Sequence, residues 1–70
     1  MVQKPSGYKE IIMYLIEVEF YSWADMSGIK AEYIDGLFAI FKVSEKDFDQ
    51  FIEESENRED VKKYTVYTNN

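Results

Sequence analysis

The side chains of this sequence that could do chemistry are carboxylates, and most of them lie in one stretch, 44–60 (SEKDFDQFIEESENRED). The stretch has two bases, Lys46 and Arg58, and eight acids: Glu45, Asp47, Asp49, Glu53, Glu54, Glu56, Glu59 and Asp60. Its net charge is therefore −6, which equals the net charge of the whole chain of 70 residues. Clustered carboxylates can bind a divalent cation, serve as general acid and base, or dock on a basic surface.

The composition excludes several kinds of catalytic site. Without His or Cys, the chain cannot form a Ser-His-Asp or Cys-His nucleophile system or a structural zinc site. Its three glycines are isolated at Gly7, Gly28 and Gly36, so a Gly-rich phosphate loop is missing. A pair of carboxylates could still catalyse hydrolysis, but so short a chain has little room for a substrate cleft. We therefore expect a protein that is not an enzyme.

A calcium site is the second chemistry that the acids could support. Asp47 and Asp49 are spaced like the first ligands of a calcium loop, but the Gly and the bidentate Glu of the EF-hand are missing. The apolar residues around them also have the period of a helix rather than a loop. We expect no metal and no other cofactor.

The acidic stretch has the pattern of an amphipathic helix. Phe48, Phe51 and Ile52 are spaced i, i+3 and i+4, which places them on one stripe. Ser44 stands where its hydroxyl could accept a hydrogen bond from a backbone N–H of the first turn. The pattern predicts a helix over 45–57.

Four acids fall on one side of this helix, and we call that side the acidic flank: Glu45, Asp49, Glu53 and Glu56. Asp49 and Glu53 form a like-charge pair at i, i+4, which costs a helix a few tenths of a kcal/mol. The later acids also face the negative end of the helix dipole. Two interpretations remain open. The flank is either a solvated surface that keeps the domain soluble or a strip that docks in a basic groove of a partner.

A groove that binds phosphates is one such partner site, because nucleic-acid sites are built from Lys and Arg. The hypothesis adds acids beyond the flank and an aromatic anchor, since Trp and Tyr dominate interface hot spots. Trp23 could instead be a rim residue that covers the core. The predicted binding residues are Glu45, Asp49, Glu53, Glu54, Glu56, Glu59, Asp60, Tyr21 and Trp23.

The main apolar run, 8–23, fits two kinds of element. Ile12, Leu15 and Ile16 begin a helical stripe, whereas the even-numbered residues from 12 to 20 alternate with polar ones after Ile16. β-branched and aromatic residues favour a strand, so we predict one over 10–22. Its first half, IIMYLI, is apolar on both faces, which indicates a central strand or a strand whose second face another subunit covers.

The middle of the chain predicts a loop at 23–28, because Asp, Ser and Gly occur there. Asp35-Gly36 between the apolar runs 29–34 and 37–43 predicts a β-hairpin. The alternative is a short helix over 24–33.

The end of the chain predicts a turn at 59–63 and a last strand at 64–68. Lys62 and Lys63 begin this strand, and Lys protects a strand at the edge of a sheet. We expect one domain over 8–68, a flexible lead at 1–7 and a frayed tail at 69–70.

These elements predict an α+β fold: a small antiparallel sheet of three to four strands with one amphipathic acidic helix on one face, in the order β-β-β-α-β. One helix cannot cover both faces of a sheet. We therefore expect the other face to bind a second copy of the chain, as a homodimer, or a partner. Candidates for that face are Ile11, Met13, Leu15, Tyr21, Phe38 and Ile40.

The order of elements and the acidity over 8–68 resemble small acidic α+β proteins with which phages block host nucleic-acid enzymes. These include anti-CRISPR proteins and the uracil-DNA glycosylase inhibitors of phi29-like phages. The resemblance implies an inhibitor that mimics DNA. It includes no residue motif, so it assigns no functional residue. The alternative is a structural or regulatory homo-oligomer whose acidic helix is only a solvated face.

Charge and hydropathy also predict where the protein acts. Its negative charge argues against direct binding to nucleic acid or to anionic membranes. The apolar run 11–16 ends at Glu17, which makes it too short for a signal sequence or a membrane span. We expect a cytoplasmic protein, in the host cytoplasm if a phage encodes it.

Overall fold

The computed structural model describes residues 12–69 and the side chains of 12–67. It contains one helix and four strands: β1 (Met13–Phe20), β2 (Tyr33–Asp35), β3 (Phe38–Ser44), α1 (Glu45–Asn57) and β4 (Val61–Asn69). A one-turn 3-10 helix, Met26–Gly28, lies between β1 and β2. The strands pair antiparallel in the order β2-β3-β1-β4. The α+β fold and the predicted order of its elements are confirmed.

The core lies between α1 and one face of the sheet. It consists of alternate residues of the two central strands, which are the most buried apolar side chains described: Ile16, Val18, Phe20, Ala39 and Val43. The helix packs on them with its predicted stripe of Phe48, Phe51 and Ile52. Alternation therefore leaves the opposite sheet face, which we call the open face, without a covering layer among residues 12–69.

The run 8–23 forms a strand and not a helix, and β1 is central in the sheet, as predicted. Its described part ends at Phe20, two residues earlier than expected. Tyr21 instead begins a turn, in which its carbonyl accepts a hydrogen bond of 3.0 Å from the Ala24 N–H. The proposed place of Tyr21 on the sheet face is therefore wrong, because the strand has ended before it.

The predicted hairpin is present, with its turn one residue later. Asp35 pairs with Phe38, so the two-residue loop consists of Gly36 and Leu37 rather than Asp35 and Gly36. Gly36 has a φ of 63°, which a residue with a Cβ adopts only at a cost. Glycine at the first loop position is the pattern of a type II′ turn.

The first hairpin strand is much shorter than the predicted run 29–34. Ile29 and Ala31 do not join the sheet, because they pack on the core from the loop that precedes β2. The alternative helix over 24–33 is wrong apart from its 3-10 turn. Asp25 caps that turn by accepting a hydrogen bond of 3.1 Å from the Ser27 N–H.

The last strand lies at a sheet edge, as predicted, but it begins at Val61 and extends to Asn69. Its start contains a β-bulge: Glu19 pairs with Lys63 and Phe20 pairs with Val61, which leaves Lys62 as the extra residue. The bulge directs both lysines to one acid. Their Nζ atoms lie 3.7 and 4.0 Å from the Glu19 carboxylate.

The helix has the predicted bounds, and Ser44 directly precedes it. The predicted capping bond is wrong, however. The Ser44 hydroxyl donates a hydrogen bond of 3.2 Å to the Asp47 carboxylate and makes no capping bond to the backbone.

Some predictions fall on residues that the structure does not describe. These are the flexible lead 1–7, the first two residues of the predicted strand 10–22, Ile11 as a sheet-face residue, and Asn70. Within 12–69, no helix has the length and apolar character needed to cross a membrane.

Candidate partner-binding surface

The acidic flank forms a row of exposed carboxylates along α1. All four of its residues lie within the helix and are exposed. Glu56 is eleven positions after Glu45, which corresponds to about 16 Å along a helix axis. The mean spacing is therefore about 5.5 Å, of the same order as the roughly 3.4 Å rise between phosphates of one DNA strand.

The acidic flank has no ion-pair partner within the described part of the chain. The salt bridges found there join Arg58 to Asp60, and Lys62 and Lys63 to Glu19. Among bases of the described residues, one pairs with an acid of the stretch 44–60: Arg58, with Asp60. The other charges face solvent.

The contacts of α1 show which way the acidic flank faces. Phe51 packs on β3, where its ring centroid lies 5.0 Å from that of Phe41. Farther around the helix, Glu56 accepts a hydrogen bond of 2.7 Å from the Tyr64 hydroxyl on β4. This bond raises the pKa of Tyr64, because it stabilises the neutral phenol beside a carboxylate. The flank therefore lies on the side of the helix toward β4.

Glu54 is not on this side. It lies about 160° around the helix axis from Glu56, and its carboxylate accepts a hydrogen bond of 3.1 Å from the Gln50 amide. Glu54 borders two grooves beside α1, one lined by β3 and the other by the loop at 28–30. It cannot extend the row that the acidic flank forms.

Asp60 adds little net charge to the surface. Both of its carboxylate oxygens accept hydrogen bonds of 2.7 Å from the Arg58 guanidinium. This contact holds the pKa of Asp60 below its usual value and raises that of Arg58. The guanidinium also lies 5.6 Å from the ring centroid of Phe20, which places the ion pair over the end of the core. Glu59, beside it, is exposed.

The two predicted aromatic anchors lie together. The rings of Tyr21 and Trp23 stack with centroids 6.0 Å apart and planes 5° apart, and Trp23 is 64% exposed. The Tyr21 N–H donates a hydrogen bond of 2.9 Å to the Asp60 carbonyl. The aromatic pair therefore lies at the end of the sheet where α1 ends. Trp23 does not cover the core.

The open face combines apolar and charged side chains. Leu15 and Ile40 are half-buried on it, as alternation in β1 and β3 requires. Its exposed aromatic residues are Tyr33, Phe38 and Tyr67. Glu17 interrupts the apolar surface and accepts a hydrogen bond of 3.2 Å from the Tyr67 hydroxyl.

Two surface grooves border the helix. They are open and have volumes of about 440 and 550 Å³, which lie in the range of small-molecule sites. The described residues include no group of three or more acidic side chains placed to hold a metal ion.

Sequence reasoning found the acids and the aromatic residues but missed Tyr64 and Arg58 as their partners. The contact of Tyr64 with Glu56 depends on the strand register after the helix, which the bulge at Lys62 shifts. The contact of Arg58 with Asp60 is local, between residues two positions apart. No family model, curated protein or solved structure matches this chain.

Proposed function

We propose that this protein is a non-enzymatic inhibitor whose acidic flank occupies the basic nucleic-acid-binding site of a target enzyme. One observation carries the proposal. Four exposed carboxylates follow one another along α1, and no base of the described residues lies within ion-pair distance of them. Such a row costs helix stability, and binding to a row of Lys and Arg would relieve that cost.

The stacked Tyr21 and Trp23 add an apolar anchor at one end of this surface. Aromatic residues contribute most to the binding free energy when a partner buries them, and the exposed Trp23 can be buried in this way. The charged row would direct the approach of the partner and set the register. The resemblance of this order of elements to that of phage inhibitors of nucleic-acid enzymes also motivates the proposal.

The test is affinity capture from a bacterial lysate with three forms of the protein. The first is wild type. The second has Asp49, Glu53 and Glu56 changed to Lys. The third is a matched control with Glu32, Asp35 and Glu54 changed to Lys, which changes the net charge equally on exposed residues outside the acidic flank.

We expect wild type and the control to capture the same DNA-binding enzyme, and the second form to lose it. Excess duplex DNA and high salt should each release the enzyme. Capture that survives the Asp49, Glu53 and Glu56 substitutions, or that DNA cannot displace, would contradict the proposed function.

The open face supports a second candidate, a homo-oligomer. Its exposed Tyr33, Phe38 and Tyr67 surround the half-buried Leu15 and Ile40, and a second copy could cover them. Sedimentation equilibrium from micromolar to high micromolar concentration tests this. Phe38→Lys should abolish self-association, whereas Ile34→Lys, on the other face of β2, should not. A wild-type monomer throughout would exclude the candidate.

A further inference from the structure

The nine-residue strand β4 forms one edge of the sheet, and no other described strand covers it. A long uncovered edge offers unpaired backbone N–H and C=O groups to another chain. The usual protection of such an edge is incomplete here. Lys62 and Lys63 lie near the start of β4, where both are close to Glu19, and residues 64–69 carry no charge.

The register shows which backbone groups of β4 point outward. The Phe20 N–H donates to the Leu37 carbonyl, so even-numbered residues of β1 face β3 and odd-numbered ones face β4. The odd-numbered residues pair with 63, 65, 67 and 69. The N–H and C=O groups of Tyr64, Val66 and Thr68 therefore point away from the sheet.

The acidic flank follows this same edge. Phe48, beside Asp49, packs on Tyr14 with the ring planes 45° apart, and Tyr14 pairs with Thr68. Eight residues later, Glu56 is bonded to Tyr64. Eight helical residues span about 12 Å, and four strand residues span about 13 Å. The helix thus runs alongside β1 and β4, and its acidic flank is on the β4 side, where Glu56 contacts Tyr64.

The spacings of the two elements match. Side chains on one face of a strand recur every 6.6–6.8 Å or so, and carboxylates at i, i+4 on a helix lie about 6 Å apart. We infer that an extended basic segment of the partner adds to β4 as a fifth strand, with Lys or Arg at alternating positions beneath the acidic flank. This inference rests on the proposed function and specifies how the partner binds.

Charge also favours this occupant over a second copy. Two copies of β4 paired antiparallel across a two-fold axis would bring two acidic flanks toward each other on the same side of the sheet. Like charges brought together in this way oppose association. A segment with alternating bases instead forms backbone hydrogen bonds and ion pairs at once.

The test uses two synthetic seven-residue peptides with the wild-type protein. One has Arg at positions 1, 3, 5 and 7 and Thr between them. The other has the same composition with the four Arg consecutive. We expect the alternating peptide to bind about tenfold more tightly in calorimetry, because main-chain pairing requires its bases on one face.

Amide hydrogen exchange locates the binding. In the free protein, the amides of Tyr64, Val66 and Thr68 should exchange rapidly, and those of Thr65 and Tyr67 slowly. The alternating peptide should protect the first set. Val66→Pro should abolish the tighter binding of the alternating peptide. It should remove no hydrogen bond within the sheet, because the Val66 N–H points outward. Val66→Thr, which keeps the N–H and the side-chain shape, should bind like wild type.

Three outcomes would overturn the inference. They are equal affinity for the two peptides, no protection of the outward amides, and protection that rises with protein concentration in the absence of peptide, which would indicate a second copy. None of these would affect enzyme capture through the acidic flank. Conversely, capture that survives charge reversal of the flank would contradict the proposed function whatever the peptides do.

Discussion

Arg58 connects three parts of the molecule through one side chain. It follows α1, pairs with Asp60 just before β4, and lies over Phe20 at the end of β1. A bidentate guanidinium is better suited to this position than a lysine, because it forms two parallel hydrogen bonds and also stacks on an aromatic ring. The pair holds together the chain reversal after the helix.

The Asp60–Arg58 pair predicts a pH-dependent stability. The pKa of Asp60 is lowered in the folded state, so its contribution is present above the unfolded pKa and is lost as pH falls through the folded value. Asp60→Asn should lower the free energy of unfolding by about 0.5 kcal/mol at pH 7, the size expected of an exposed pair. Urea denaturation should show the difference shrinking below about pH 4. A difference independent of pH would exclude the ion pair as its cause.

The hydrogen bond between Tyr64 and Glu56 predicts a titration shift. Because the pKa of Tyr64 is raised, the bond stabilises the fold below the unfolded pKa of about 10, and this contribution is lost as pH rises through the folded value. Glu56→Gln should lower the pKa of Tyr64, measured by NMR. The control Glu53→Gln, on the same flank, should leave it unchanged. Equal effects of the two changes would contradict the contact.

Two glycines provide a matched test of backbone conformation. An added Cβ meets nothing within 4 Å at Gly28 or at Gly36, but only Gly36 has a positive φ. Gly36→Ala should therefore destabilise the protein by about 1–2 kcal/mol, and Gly28→Ala should change the free energy of unfolding by less than about 0.5 kcal/mol. Urea unfolding measures both. If the two substitutions destabilised the protein equally, the positive φ of Gly36 would not be the cause.

At the scale of elements, α1 is the one that the sequence specifies best. Its apolar residues have one period, Ser44 marks its start, and its bounds agree with the prediction. Only the hydrogen bond of Ser44 could not be predicted, because the hydroxyl can bond either to the backbone or to the nearby Asp47 carboxylate. A spacing pattern does not distinguish these partners.

Repulsion along α1 predicts that removing a charge stabilises the protein. Asp49 has an acid four residues before it and another four residues after it, so Asp49→Asn removes two unfavourable pairs. The free energy of unfolding should rise by about 0.5 kcal/mol at low salt and by much less at 1 M salt, where the Debye length is about 3 Å. Glu54→Gln is the control, since Gln50 and Arg58 occupy the same spacings. A decrease for Asp49→Asn would show that the flank does not strain the helix.

The strands were predicted less completely, for two physical reasons. In β4, the side chains toward the helix are Val61, Tyr64 and Val66, and the bulge breaks the two-residue period that would have revealed the start of the strand. Before β2, Ile29 and Ala31 are apolar because they pack on the core from a loop. Hydrophobicity indicates burial there but does not identify the element.

At the scale of the whole molecule, the charge distribution was predictable but its partners were not. The net charge of the stretch 44–60 follows from counting residues. That Arg58 neutralises Asp60 depends on the conformation of the turn after the helix, whereas the position of Glu54 on the other side of the helix from Glu56 follows from helical periodicity. The outward backbone groups of β4 could not be inferred from side-chain patterns at all, because they follow from register.

The strand order predicts slow folding for so small a protein. The central strand β1 pairs on one side with β4, so that Ile16 lies opposite Val66, 50 positions away in the chain. Such distant pairs require closure of a long loop before contacts stabilise it, and sheets rich in them fold in milliseconds to seconds. Stopped-flow refolding followed by far-UV circular dichroism measures this rate. Refolding in microseconds would show that formation of the local hairpin and helix determines the folding rate.

The position of Trp23 determines what optical spectroscopy can detect. It is the only tryptophan of the chain and is largely exposed in the folded protein. Its emission maximum should therefore change little on unfolding and should shift to the blue when another molecule buries the ring. The parallel stack with Tyr21 fixes the indole in a chiral environment, so near-ultraviolet dichroism should report the fold. One chromophore thus provides separate signals for binding and for native structure.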